Sequence, residues 1–197
     1  MTEFWRSPGP YDDQVHGTFD HGLAKDVRPR FDRNTWNRLE ALVEAASARD
    51  REQIDRAMRK AMDLPLSNLI GLKQALRVGI WCALTALRPG PYDRDAVEGV
   101  ADRIRPSAMT LLKVADNDIV LVVGDALRVM DEDRATYSLH DGEFVIVAAV
   151  SLAELVSVAP APGSDLRAIH DQCDRTFSML DRDVAQAAWL ESLARPN

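Results

Sequence analysis

The sequence predicts an all-α protein, a single multi-helix domain of about nine helices that follows an extended N-terminal arm. Three observations predict this fold. Apolar residues recur at a helical spacing of about 3.6 residues through most of the chain. Helix-capping residues and prolines separate these repeats. Alanine and arginine, two good helix formers, are abundant, with 26 and 20 copies among 197 residues.

The N-terminal arm comprises residues 1–33, and the helical domain comprises residues 34–197. Glycines and prolines between Pro8 and Pro29 interrupt any helical repeat in the arm. The arm nevertheless contains five aromatic residues, whereas a disordered tail would contain few. We therefore expect it to pack on the helical domain or on a partner. The aromatic residues are Phe4, Trp5, Tyr11, Phe19 and Phe31.

Four helices with clear start signals are predicted first. The first helix opens at Asn34 or Thr35, and the second opens at Asp50. The third covers residues 67–87 and is apolar on more than one face, which predicts the central, buried helix of the domain. The fourth begins at Asp93. The apolar stripe of the first helix is Trp36, Leu39, Leu42, Val43 and Ala46. That of the second helix is Ile54, Ala57, Met58, Ala61 and Met62. That of the fourth helix is Ala96, Val97, Val100, Ala101 and Ile104.

Prolines and glycines set limits on where these helices can run and how tightly they can pack. Pro106 is predicted to end the fourth helix, so that Ser107 begins a short fifth one. Glycines also lie inside the predicted helices, where each costs about 1 kcal/mol relative to alanine. Close approach of neighbouring helices is the expected compensation. These glycines are Gly71, Gly79, Gly99 and Gly124.

Residues 117–150 permit two interpretations. Their apolar residues fit the stripe of a helix, but five apolar residues in a row before Gly124 also fit a buried strand. Asp141 and Gly142, between two apolar runs, are a hairpin signal. Helices are favoured because good helix formers continue through the second run. The alternative is an α+β fold with a small sheet within residues 108–150.

Two more helices are predicted beyond a proline-rich linker at residues 160–164. The second of them begins at Asp183. The first carries an apolar stripe that includes a histidine and a cysteine. Its members are Leu166, Ile169, His170, Cys173, Phe177 and Leu180.

The composition predicts a soluble, cytoplasmic protein. Two cysteines do not make a disulfide framework, which indicates a reducing compartment. The N-terminus lacks the pattern of a secretory signal. The longest strongly apolar run, Phe144–Val150, is much shorter than the roughly 20 residues that cross a bilayer, so no membrane contact is expected.

The net charge of −7 is unevenly distributed along the chain. Residues 1–22 carry −3, residues 23–113 carry +5 and residues 114–197 carry −9. The acidic C-terminal part repels phosphates, which disfavours nucleic-acid binding. The basic middle part suits an acidic partner or the acidic part of a second copy.

His170 and Cys173 are the candidate catalytic residues. They lie three residues apart on one face of their predicted helix, beside Asp174. A histidine next to a cysteine stabilises the thiolate of a nucleophile, and the same pair can bind zinc. The alternative is that both residues pack in the core, since both belong to the apolar stripe.

A candidate metal site lies in the arm, at His16, Asp20 and His21. Imidazoles and carboxylates are common metal ligands, although this spacing matches no established ligand pattern. The sequence contains no glycine-rich nucleotide loop, so no cofactor is expected.

These observations favour a binding or regulatory module that acts through protein–protein contacts, with another protein or with a second copy. The aromatic arm and the uneven charge suit such contacts, and no catalytic motif is present. One alternative is a metal- or thiol-dependent enzyme that uses His170, Cys173 and the histidines and aspartates of the arm. Another is a DNA-binding regulator, in which residues 93–114 form a helix-turn-helix with its turn at residues 105–107.

Overall fold

Seven helices occupy most of the residues that the computed structural model describes, which are residues 27–87, 93–112, 116–127, 141–158 and 165–179. The helices are α1 (Arg33–Ser47), α2 (Arg51–Met62), α3 (Leu66–Leu87), α4 (Arg94–Leu112), α5 (Asp116–Leu127), α6 (Asp141–Val158) and α7 (residues 166–179). No strand occurs in these ranges, so the all-α prediction is confirmed for them. The small sheet considered within residues 108–150 is wrong for the described part of that segment, because that part is helical.

The number of helices differs from the predicted nine for two reasons. Pro106 lies inside α4, so the predicted fourth and fifth helices form one helix. The last predicted helix, which would begin at Asp183, lies outside the described residues, as do residues 1–26 of the arm. The other helices begin within a few residues of their predicted starts.

Aspartates cap the N-termini of four helices by accepting backbone hydrogen bonds that the first turn cannot satisfy. They are Asp32, Asp50, Asp93 and Asp165. Asp50 and Asp93 are the predicted caps of α2 and α4 and are confirmed. The start of α1 is corrected, because Asp32 accepts from the backbone N–H of Thr35 at 3.0 Å and so begins the helix before Asn34.

Pro106 does not interrupt α4, because buried side chains hold the helix together on both sides of it. A proline inside a helix costs about 3 kcal/mol. Ile104 and Leu111 flank the proline and are both buried, and each stabilises the fold by about 1.5–3 kcal/mol on leaving water. Since α4 packs on α5 and α6, this burial offsets the cost of the proline.

The central helix of the domain is α6, whereas the sequence predicts α3. All ten residues of Phe144–Ala153 are buried, and α6 packs against α1, α2, α3, α4 and α5. A helix that is apolar on every side needs neighbours on every side. α3 instead keeps a strip of partly exposed residues that includes Lys73, Arg77 and Trp81.

By length and composition, α3 is apolar enough to cross a membrane. Its apolar residues are interrupted by polar ones, so it does not contain the longest continuous apolar run of the sequence. Of its most apolar window of 18 residues, 56% is buried inside the fold. The helix packs against α1, α5 and α6. Burial in the core accounts for its apolar composition.

Ion pairs join the basic middle of the chain to its acidic C-terminal part. Lys73 pairs with Asp141 and Arg77 pairs with Asp125, which connects α3 to α6 and α5. The two cations also lie 5.3 and 4.7 Å from the ring centre of Phe144, at a distance where cation–π attraction acts. The uneven charge of the sequence is therefore partly neutralised within the fold.

A polar network fixes residues 27–32 and the start of α1 to α3. The side-chain amide of Asn68 donates to the carboxylate of Asp32 at 3.1 Å and to the hydroxyl of Thr35 at 2.8 Å. The backbone N–H of Arg30 donates to the carbonyl of Ser67 at 2.8 Å. The hydrogen bonds from the Thr35 backbone and from Asn68 hold the pKa of Asp32 below its usual value of 3.8.

Gly71 and Gly79 both allow close approaches, and the neighbours are helices, as predicted, at Gly79, whereas at Gly71 the neighbour is the non-helical segment before α1. A Cβ atom at Gly71 would lie 2.0 Å from the carbonyl oxygen of Arg30, so a glycine is needed where residues 27–32 cross α3. A Cβ atom at Gly79 would lie 2.8 Å from a methyl carbon of Leu152 and 3.3 Å from one of Ile169. Gly79 is therefore the point where α3, α6 and α7 meet.

We expect the substitution Gly71→Ala to lower the free energy of unfolding by about 2–3 kcal/mol, measured by urea denaturation. The added methyl group collides with backbone, which can move only together with its whole segment. Gly79→Ala should cost less, because its nearest neighbour is the flexible end of a leucine side chain. Unchanged stability in Gly71→Ala would contradict the packing of residues 27–32 on α3.

Candidate functional site

A cleft opens where the C-terminal ends of α3 and α6 lie beside the first half of α4. Its volume is about 200 Å³. Its apolar wall comes from all three helices and consists of Leu84, Leu87, Val100, Leu155 and Val158. Val158 is 62% exposed, which makes it a large apolar side chain at the surface. Apolar surface gathered in a concave site is typical of a binding site.

Gly99 borders open space at the edge of this cleft. No atom lies within 4 Å of the place that a Cβ atom at Gly99 would occupy. The close helix approach predicted for this glycine is therefore wrong, in contrast to Gly71 and Gly79. A glycine inside a helix still costs about 1 kcal/mol, and no packing contact compensates for it at this position. Gly99 therefore leaves this exposed face of α4 without a side chain beside the cleft.

Charged residues surround the apolar wall. Asp95 and Arg103 lie one helical turn before and one turn after Gly99 on α4. Glu154 of α6 also lines the cleft, and its carboxylate pairs with the guanidinium of Arg49 at 3.3 Å. The rim thus carries one negative and one positive charge on α4, and a neutralised carboxylate on α6.

Arg49 positions Glu154 from the turn between α1 and α2. Its backbone is left-handed, with φ of 54°, a conformation that costs an L-residue about 1 kcal/mol or more. Its guanidinium donates to the hydroxyl of Ser107 at 3.2 Å as well as to Glu154. These bonds tie the turn to α4 and α6 and offset part of the strain.

We expect Gly99→Ala to raise the free energy of unfolding by about 1 kcal/mol in urea denaturation, because alanine favours the helix and meets no neighbour. Gly142→Ala is the matched control. Its added methyl group also meets no atom within 4 Å, but it lies in the first turn of α6, where the gain should be smaller. A loss of stability in Gly99→Ala would show that the space at Gly99 is filled.

His170 lies on α7, as predicted, within an aromatic cluster. Its ring centre is 4.6 Å from that of Trp36 and 5.9 Å from that of Phe31. Phe31 also stacks on Phe177 at 4.9 Å. The Nδ1 atom of His170 lies 3.5 Å from a carboxylate oxygen of Asp174. The cluster anchors Phe31, and with it residues 27–32, on α7.

Cys173 lies on the same helix but has different surroundings. The residue is completely buried, and its thiol lies 3.8 Å from the carbonyl oxygen of Ala75 in α3, to which it donates. Burial raises the pKa of the Cys173 thiol to about 12 and that of the Cys82 thiol to about 11. Both thiols are therefore protonated at neutral pH, whereas nucleophiles and metal ligands are thiolates. These surroundings favour a packing role for Cys173.

We expect the thiol of Cys173 to react with Ellman's reagent at pH 8 about a hundredfold more slowly in the native protein than in the unfolded one. The variant Cys82→Ala isolates this thiol, and Cys173→Ala isolates the other as a control. Stability should also fall as the pH rises from about 9 towards 12, because the unfolded chain loses the thiol protons first. Equal native and unfolded rates would contradict the burial of Cys173.

The candidate metal residues His16, Asp20 and His21 lie outside the described residues. Within the described ranges, no group of three or more histidine, cysteine or acidic residues is arranged to hold a metal ion. The metal site in the arm stays a prediction.

The helix-turn-helix hypothesis requires a turn at residues 105–107. These residues are helical, because α4 continues through Pro106. The predicted turn is therefore wrong, and the described part of residues 93–114 forms one long helix that packs on α5 and α6.

Sequence reasoning did not find the cleft. Asp95, Gly99 and Arg103 stand at regular four-residue intervals in the sequence, which is a visible signal for a shared helix face. Nothing local shows that Leu87 and Val158 complete the site, since both belong to distant segments.

Comparison of the chain with protein-family models, with curated proteins and with solved structures found no match. The function is therefore argued from the geometry of the described residues.

Proposed function

We propose that this protein is a binding module that acts through protein–protein contact, and that the cleft around Gly99 is the contact site. The observation that carries the proposal is the cleft itself, where accessible apolar side chains of three helices, Leu87, Val100 and Val158, border the open space at Gly99. Exposed apolar surface of this kind gains free energy when a partner covers it.

The size of the cleft favours a protein partner over a small molecule. Pockets for small molecules and cofactors measure about 300–1,000 Å³, whereas this cleft measures about 200 Å³. A shallow groove between helix ends is suited to contact with the face of a partner helix. The exposed side chain of Val158 extends the apolar surface beyond the cleft itself.

The charged rim supports the same conclusion. Asp95 and Arg103 place opposite charges on either side of the apolar centre. Charges at the rim of an interface select partners of complementary charge and fix their orientation. A partner is thus recognised by an apolar contact between two charges.

Among the described residues, no observation favours a metal- or thiol-dependent enzyme or a DNA-binding regulator. A thiol enzyme needs an accessible thiolate, and Cys173 is buried and protonated. A helix-turn-helix regulator needs a turn that α4 does not make.

Site-specific photo-crosslinking in cells that contain the full chain tests the proposal. Benzoylphenylalanine replaces Val158 in one variant and Met179 in a matched control, since each is a large apolar side chain that is 62% exposed. We expect light to produce a covalent adduct with a protein from position 158 and not from position 179. The substitution Gly99→Trp should reduce that adduct at least about fivefold, because its indole ring occupies the open space at Gly99 and keeps the partner away.

The proposal fails if position 158 yields no protein adduct, or no more than position 179. It also fails if Gly99→Trp leaves the adduct unchanged. Circular dichroism and thermal unfolding of each variant verify that the helices are intact, and Val158 is exposed enough for its substitution to spare the core.

A further inference from the structure

Three residues on α4 form a regular exposed stripe. Asp95, Gly99 and Arg103 follow one another at intervals of four residues, share one face of the helix and are all exposed. Successive members lie about 6 Å apart along the helix axis. The stripe therefore has a negative charge at one end, a positive charge at the other and a residue without a side chain at its midpoint.

The two charges of the stripe are not neutralised by the described part of the fold. Asp95 and Arg103 lie about 12 Å apart along the axis, too far to pair with each other. Within the ranges that the structure describes, neither side chain has an ion pair or a hydrogen bond. The neighbouring Asp102, in contrast, pairs with Arg105 at 2.7 Å. The stripe presents its charges outward.

We propose that α4 pairs with α4 of a second copy of this chain, antiparallel, about a two-fold axis at Gly99. The inference rests on the proposed function and names the partner that the site binds. A two-fold interface uses the same patch on both copies and therefore requires a patch that is complementary to itself. The stripe is complementary to itself because Asp95 and Arg103 carry opposite charges at equal distances from Gly99.

The register of the pair follows from the spacing. In an antiparallel pair centred on Gly99, a residue four positions after the centre faces the residue four positions before it in the other copy. Arg103 of each copy therefore faces Asp95 of the other, and two ion pairs form. The absence of a side chain at Gly99 lets the two helix axes approach closely at the crossing point. Two residues beside the stripe follow the same rule: Val100 faces Glu98 of the other copy, and Ala96 faces its Asp102.

The same arrangement covers the apolar surface of the site. Val158 and the wall of the cleft lie beside Gly99, so a second copy seated on α4 shields them from water. One helix face per copy buries less than the roughly 1,200–2,000 Å² of a stable interface. We therefore expect a reversible dimer that dissociates on dilution.

Charge reversal with analytical ultracentrifugation tests the pairing. Asp95→Arg gives a copy with two positive ends, and Arg103→Glu gives a copy with two negative ends, so like charges face each other in both homodimers. We expect each substitution to weaken self-association about tenfold or more. The double variant Asp95→Arg/Arg103→Glu should regain the dimer. An equimolar mixture of the two single variants should also form heterodimers, since opposite charges then face each other in both pairs.

Glu52→Arg and Arg56→Glu on α2 are matched controls, because they change the net charge by the same amounts at another exposed pair. They should leave self-association unchanged. A wild-type chain that stays monomeric, or a dimer that the α4 single variants do not weaken, would overturn the inference. A double variant that does not recover would overturn the antiparallel register.

The crosslinking experiment separates this inference from the proposed function. An adduct between two copies from position 158 supports both. An adduct with a different protein keeps the proposed function and overturns the second copy as its partner. The absence of any adduct from position 158 overturns both.

Discussion

The complete burial of α6 is the constraint on which the rest of this structure depends. Ten consecutive residues, Phe144–Ala153, have no side left for water, so other helices must surround them. α1 to α5 pack on α6, and Leu152 of α6 and Ile169 of α7 both lie against Gly79 of α3. Ser151 is buried in the same run, and its hydroxyl has no hydrogen-bond partner in the described part of the chain. An unsatisfied buried hydroxyl costs about 1–3 kcal/mol, and the apolar contacts of α6 must contribute more than this.

The candidate site lies where this burial ends. Beyond Leu155, α6 leaves the core and brings Val158 to the surface next to the end of α3, while Glu154 stays partly buried. α4 crosses the same region and leaves it open at Gly99, while Arg49 holds the carboxylate of Glu154 in place. The cleft is built on helix ends that a buried core positions, which gives it a defined shape.

Local signals predicted the helices and failed where burial outweighs them. The caps Asp50 and Asp93 act within one turn, and the sequence identifies both. The effect of Pro106 is also local, but α5 and α6 bury its neighbours and keep the helix intact. His170 and Cys173 illustrate the same limit. Their spacing predicted a shared face, yet residues three apart differ by about 60° around a helix. That angle is enough for one to contact Trp36 and the other Ala75.

The sequence by itself determined the helical class, most helix starts and the apolar stripes, because each depends on residues within about four positions of one another. Only the tertiary structure decided which helix is central and what each helical glycine does. Gly71, Gly79 and Gly99 present the same local chemistry. Arg30 passes over the first, Leu152 packs on the second and nothing approaches the third. The cleft beside Gly99 depends on how distant segments pack, which no local pattern records.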